Sequence, residues 1–223
     1  MRGDEGAAHA KMAVHTVPLS YQAITLFVRA NDHRFDNDIA ADRAVGGDRM
    51  RATVAELGGI DFLVNNAGGT VPSPSVDAVP ALVSRIQGAP ASDDDYERSV
   101  LFHSHAVQMN LISPLWFAIR AYRQMKTQDG VGCIVNVSSG AGHPAGSPTL
   151  VSYGAAKAGL NQMTRSLAQE WGPNVRVNCV ALGPTITENF RSFVLPKDDP
   201  TGSEYFKNVP LRRGGEPAEV GRT

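Results

Sequence analysis

The chain has 223 residues, 42% of them hydrophobic and 19% charged, which is an ordinary balance for one α/β domain with a sizeable core. Basic and acidic residues number 21 and 22, the net charge is −1, and the basic residues are dispersed, so neither nucleic acid nor an anionic membrane is an expected partner. No apolar run reaches the ~18 residues of a spanning helix, and no basic-then-apolar leader opens the chain, so a cytoplasmic protein is expected.

Residues 1–22 show only a short alternation at Met12 and Val14, which Pro18 ends. Ala23 to Ala30 (AITLFVRA) reads as a strand, with Asn31-Asp32-His33 as the turn after it. Over 36–58, Val45, Met50, Val54 and Leu57 recur at helical spacing; Gly46-Gly47 weakens the first half and Gly58-Gly59 ends it. Ile60 to Val64 reads as a buried strand, followed by Asn65-Asn66-Ala67-Gly68-Gly69. Ligands bind at such strand ends in open parallel sheets. Small residues there let a ligand approach the backbone, and an Asn side chain holds the turn. Residues 70–92, with Pro72, Pro74, Pro80 and Pro90, read as a surface insertion.

Asp93-Asp94-Asp95 opens a long helical pattern running through Met109, Trp116 and Ile119 to Met125, the acids suiting its N-terminus. Pro114 lies inside it and has no N–H, so the carbonyl of Asn110 loses its helical donor. His103 and His105 are two apart, point to different faces and make a poor metal pair. Cys133 to Val137 is an apolar, β-branched strand ending in Ser138-Ser139 and a loop of Gly, Ala, Pro and His. Cys133 and Cys179 both fall in strand-like runs and read as reduced core thiols.

Tyr153 and Lys157 stand four apart at the start of the next helical pattern and share a face. A neighbouring ammonium favours phenolate and lowers a tyrosine from its reference pKa of about 10. That suits proton exchange with an alcohol or ketone oxygen, which a hydroxyl from Ser139 or Ser138 could also reach. Taken alone, these residues equally describe a strand, a loop and a helix with a half-buried Tyr and a solvated Lys. Ser152 is expected to cap that helix, whose stripe of Leu160, Met163, Leu167 and Trp171 ends at Gly172-Pro173. Arg176 to Leu182 is the next buried strand, with Gly183-Pro184-Thr185-Ile186-Thr187 at its C-terminal end. Residues 188–208 are polar but carry Phe190, Phe193, Tyr205 and Phe206, which reads as a mobile lid over an apolar substrate or as a loose loop. Leu211 to Val220 leads into a further helix.

In this order, Asn65-Asn66-Ala67-Gly68, Asn110, Val137-Ser138-Ser139, Tyr153-Gly-Ala-Ala-Lys157, Arg176-Val-Asn178 and Gly183-Pro184 make the chain resemble the short-chain dehydrogenase/reductase family, over roughly Asp61 to Thr223. The resemblance implies one Rossmann-like α/β domain over 23–223, doubly wound and mostly parallel, abbreviated at both ends and preceded by an irregular or replaced segment 1–22. It implies hydride transfer between NAD or NADP and a small secondary alcohol or ketone. Tyr153 would be the acid/base, Lys157 would tune it and bind the nicotinamide ribose, Ser139 would polarise the substrate oxygen, and Asn110 would anchor a proton relay through its carbonyl. Asn65, Ala67, Gly68, Gly183, Thr185 and Thr187 would join Tyr153 and Lys157 in holding the cofactor. A homo-oligomer, dimer or tetramer, is implied through the two long helices.

The chain also departs from that family. No TGxxxGxG-like turn is present, and AITLFVRA resembles the family's third strand, with Asn31-Asp32 or Asp38 near the adenine-side acid. The residues that choose NAD or NADP therefore cannot be read. Leu182 stands where a proline is usual, and Ser139 lies one residue farther from Tyr153 than is usual, implying a one-residue loop insertion. The missing glycine turn supports a second expectation of a different class: a non-catalytic remnant or interaction subunit that no longer binds the dinucleotide. A serine hydrolase reading of Ser139 lacks a G-x-S-x-G elbow, and His143 sits too close along the loop to orient a triad.

Overall fold

The computed structural model of the protein describes residues 25–28, 50, 54–55, 58–70, 95–128, 132–144 and 148–223. The expectations for residues 1–22, Asn31-Asp32, Asp38, Gly46-Gly47 and most of 70–92 lie outside the described residues. Four strands form one sheet in chain order: β1 (Thr25–Val28), β2 (Phe62–Asn65), β3 (Gly132–Ser139) and β4 (Val175–Leu182). β2, β3 and β4 run parallel, as expected of strands joined by helical crossovers.

β1 corrects the sequence reading. The family's third strand would sit three places from the strand after it in a 3-2-1-4 order. Instead β1 lies directly on β2 and antiparallel to it, pairing Thr25 with Asn65 and Val28 with Phe62. The outer edge of β2 offers unpaired N–H and C=O groups, and a short antiparallel strand satisfies them.

The predicted long helix divides at its proline. α1 (Asp95–Val107) passes into a π-helical turn (Gln108–Ile112), and α2 (Ser113–Met125) follows with Pro114 in its first turn. The Ser113 N–H reaches five residues back to the carbonyl of Gln108. One extra residue is thus accommodated where proline withholds a donor. β3 is followed by two 3₁₀ turns (Gly140–Gly142 and Pro148–Leu150) and by α3 (Val151–Trp171).

Register explains how α2 and α3 dock. Leu63, Ile134 and Val177 are neighbours across β2, β3 and β4, and two residues further along stand Asn65, Asn136 and Cys179. Side chains alternate along a strand, so both rows lie on one face. The first row packs with Phe117, Ala118 and Ala121 of α2 and with Leu167 and Trp171 of α3. Trp171 also stacks on Tyr122, ring centroids 4.2 Å apart.

Ser152 is not the cap of α3. The helix starts at Val151, Leu150 holds the cap position without a side-chain bond, and Ser152 is buried in the first turn. Its hydroxyl shares a 2.9 Å hydrogen bond with Nδ1 of His103. The imidazole of α1 has taken the hydroxyl that a helix N–H would otherwise use.

Beyond β4, α4 (Glu188–Phe193), α5 (Ser203–Phe206) and α6 (Pro217–Val220) follow. α6 begins with a reciprocal Glu216–Glu219 capping box. No helix among the described residues is long and apolar enough to cross a membrane.

Candidate active site

Three strand ends carry the site. At the end of β2, Ala67 is buried and Gly68 is wedged between the side chains of Asn110 and Lys157. A Cβ built on Gly68 would lie 2.5 Å from Asn110 Oδ1 and 3.1 Å from Lys157 Nζ. Glycine is required here by that close approach. The side chain that holds this turn is Asn110, not an Asn of the turn itself. Its Oδ1 accepts the Gly69 N–H at 2.9 Å, and its Nδ2 donates to the carbonyls of Gly69 and Ala106, both at 2.9 Å. The Asn65 side chain is bonded inside the fold: it is 1% exposed and donates to the Pro114 carbonyl and to Asn136.

At the end of β3 the two serines part company. Ser138 is buried and donates to the main-chain carbonyl of Lys157 at 3.2 Å. Ser139 stands beside the Tyr153 phenol, whose pKa it lowers, and accepts the Ala141 N–H at 3.2 Å. The Gly140–Gly142 turn then presses onto α3. A Cβ on Gly142 would stand 2.7 Å from the backbone of Lys157 and Ala158, and one on Gly154 would stand 2.9 Å from the Ala141 carbonyl.

Lys157 is only 3% exposed. Its Nζ donates to the Val137 carbonyl at 2.9 Å and lies 5.6 Å from the centre of the Tyr153 ring. Burial lowers its pKa from the ordinary 10.5 to about 8, with Cys179 acting weakly the other way. Tyr153 differs from the sequence expectation. Desolvation raises its phenol, and the Ser139 hydrogen bond lowers it by less.

At the end of β4, a Cβ on Gly183 would meet nothing within 4 Å, and the same holds for Gly69 at the end of β2. Thr185 donates its hydroxyl to the Gly183 carbonyl at 3.2 Å. Thr187 is engaged as the N-cap of α4, accepting the Phe190 N–H at 3.1 Å. Residues 188–208 are more ordered than a loose loop: Phe190 stacks on Phe206, and Tyr205 meets both edge-on. Phe206 and Leu195 are buried, and Gly202, at φ +71, would strike both with a Cβ. Asp199 fastens α5 through Ser203 and Glu204 N–H bonds, which hold its carboxyl below its ordinary pKa.

Sequence reasoning missed two residues beneath the site. Asn136 donates to Thr164 Oγ1 at 3.0 Å, and Thr164 donates to the Leu160 carbonyl at 2.8 Å. A lone Asn inside an apolar strand was the available signal.

Residues 23–197 match the family described as short chain dehydrogenase, so the match begins upstream of Asp61 and takes in β1. An uncharacterized oxidoreductase of Thermotoga maritima is 33% identical over 77% of this chain and 61% of its own length. The 3-oxoacyl-acyl-carrier-protein reductase FabG of Chlamydia muridarum is 34% identical over 77% of this chain and 59% of its own length. The chain therefore spans less than two thirds of these curated relatives. A glucose/ribitol dehydrogenase structure from Brucella melitensis superposes with a TM-score of 0.62 at 26% identity, covering 85% of this chain and 65% of the other. The protein belongs to the short-chain dehydrogenase/reductase family.

Proposed function

We propose that the protein is a nicotinamide-dependent oxidoreductase that interconverts a small secondary alcohol and its ketone. The observation that carries this reading is the convergence of Ser139, Tyr153, Lys157, Asn110 and Gly68 at neighbouring strand ends. The residues fit the nicotinamide end of the coenzyme. Gly69 and Gly183 face open space, and Lys157 has spent one of three ammonium hydrogens on Val137, leaving two for ribose hydroxyls. Ala67, Gly68, Gly183 and Thr185 would line it, while the side chains of Asn65 and Thr187 act within the fold. NAD or NADP, when bound, supplies or accepts the hydride.

The protein's own residues handle the proton. Burial keeps Tyr153 protonated at neutral pH, the form that donates to a ketone oxygen. The Ser139 hydroxyl lies beside the phenol and can bond the same substrate oxygen. Lys157 stabilises the phenolate left behind, and Asn110 fixes the Gly69 turn beside it. Its own carbonyl, denied a helical donor by Pro114, is the anchor for a proton relay. Two copies would pair through α1 and α3, where Tyr96, Val100 and Val151 are exposed.

The test is a titration of the folded protein with NADH and NADPH, read by fluorescence and thermal shift, followed by turnover of small ketones. Binding of one coenzyme is expected, and Tyr153→Phe should lower kcat about 10²- to 10⁴-fold with Tm unchanged. A folded protein that binds neither coenzyme would replace this reading with the non-catalytic one.

A further inference from the structure

The row of Asn65, Asn136 and Thr164 links β2, α2, β3 and α3. Asn65 of β2 donates to the Pro114 carbonyl of α2 at 3.1 Å and to Asn136 Oδ1 of β3 at 2.9 Å. Asn136 passes the chain on to Thr164 of α3 at 3.0 Å. Thr164 lies seven residues, two helical turns, beyond Lys157 on the same buried face. Asn136 lies three residues before Ser139. Thus one directional bond, Asn136 to Thr164, ties the strand that delivers Ser139 to the helix that delivers Tyr153 and Lys157.

This row is a poor device for stability alone. Asn65 Oδ1 is buried without a hydrogen-bond partner among the described residues, a state that costs free energy. Apolar side chains of similar size would fill the space without that cost. What amides and a hydroxyl add is direction: each bond accepts one axial position of α3 on β3, whereas apolar contacts tolerate sliding.

We propose that Asn136 and Thr164 are positioning residues, which set the register of α3 on β3 and through it the placement of Ser139 relative to Tyr153. This rests on the reading of Ser139 and Tyr153 given above. Neither residue touches the reacting atoms.

Thr164→Val removes the hydroxyl at nearly constant volume, and Thr164→Ala removes it with space to spare. Both are expected to lower kcat on the order of tenfold to a hundredfold, as misplacement of reacting groups does, with the coenzyme KM little changed. Both should also raise the Tyr153 titration, followed by ultraviolet phenolate absorbance against Tyr153→Phe, because Ser139, which lowers it, is displaced. Thr164→Ser should restore both. The titration needs no coenzyme, so it tests the positioning role even if turnover with NADH and NADPH is absent. A fall in Tm with kcat and the phenol titration unmoved would overturn the proposal, as would a Thr164→Ser variant that behaves like Thr164→Val.

Discussion

The interface between the sheet and α3 has two halves built on opposite principles. Toward the start of the strands, Ile134 and Val177 meet Leu167 and Trp171 in an apolar layer. Toward the strand ends, Asn136 meets Thr164, Ser138 meets the Lys157 carbonyl, and Lys157 Nζ meets the Val137 carbonyl. The first half holds the helix against the sheet by burying area, which is strong and indifferent to direction. The second half holds it in register by bonds that work in one geometry only. Ser139 and Tyr153 adjoin the second half. The same helix thus draws its adhesion from one end and its alignment from the other.

The largest effect on stability is expected from the apolar layer. Ile134 is fully buried, and Ile134→Ala should cost about 2–5 kcal/mol, read as a lower denaturation midpoint. Activity per folded molecule should be nearly unchanged. A kcat loss as large as that of the Thr164 variants would erase the distinction between the halves.

Gly142→Ala comes next and should damage both properties. Its new Cβ would meet Lys157 and Ala158 backbone at 2.7 Å, and backbone cannot rotate aside. The turn must lift from α3, at about 1–3 kcal/mol by analogy with overpacking, and Ser139 moves with it. Gly183→Ala is the control: with nothing within 4 Å of its Cβ, it should leave Tm alone and raise the coenzyme KM.

The two halves were not equally legible in the sequence. Apolar periodicity gave away β3, β4 and the stripe of Leu160, Leu167 and Trp171, because burying area leaves a local pattern. The polar half left almost none. Asn136 bonds a threonine 28 positions away and an asparagine 71 away, and no local period encodes such pairs. Spacing and resemblance singled out Tyr153, Lys157, Asn110 and the NNAG turn, yet not the division of labour among them. Asn65 is spent inside the fold, and Asn110 holds the glycine turn. Ser152 fits a cap by residue type, but His103 competes for it across 49 positions. The aromatics of 188–208 left a mobile lid and a loose loop both open, because sequence does not show that Phe190, Tyr205 and Phe206 find one another.

A smaller effect isolates the buried ammonium of the polar half. The folded pKa of Lys157 is about 8, against an ordinary 10.5. A lysine depressed on folding binds its proton more weakly in the native state, so below about pH 8 its charging opposes folding in full. Between about 8 and 10.5 the unfolded chain carries the extra proton, and stability rises with pH. The slope from this one group cannot exceed about 1.4 kcal/mol per pH unit. The raised phenol of Tyr153 acts the opposite way above its ordinary pKa of 10.0, so the measurement is a difference. Urea midpoints of wild type and Lys157→Met should diverge below pH 8 and converge as pH climbs. Parallel curves would mean that Lys157 is not desolvated as its surroundings imply.

The finest division is between two adjacent serines. Ser138 and Ser139 differ by one step along β3, and a strand turns successive side chains to opposite faces. Ser138 thereby reaches the main chain of α3, and Ser139 reaches the Tyr153 phenol. Ser138→Ala should cost about 0.5–1.5 kcal/mol, the net worth of one buried hydrogen bond, with a modest kcat change that follows from register alone. Ser139→Ala should leave Tm nearly unmoved, raise the Tyr153 titration and lower kcat more than its neighbour does. Should the two variants exchange behaviours, the strand would be one residue out of the register described here. Every side chain assigned to the site from β3 would then face the wrong way.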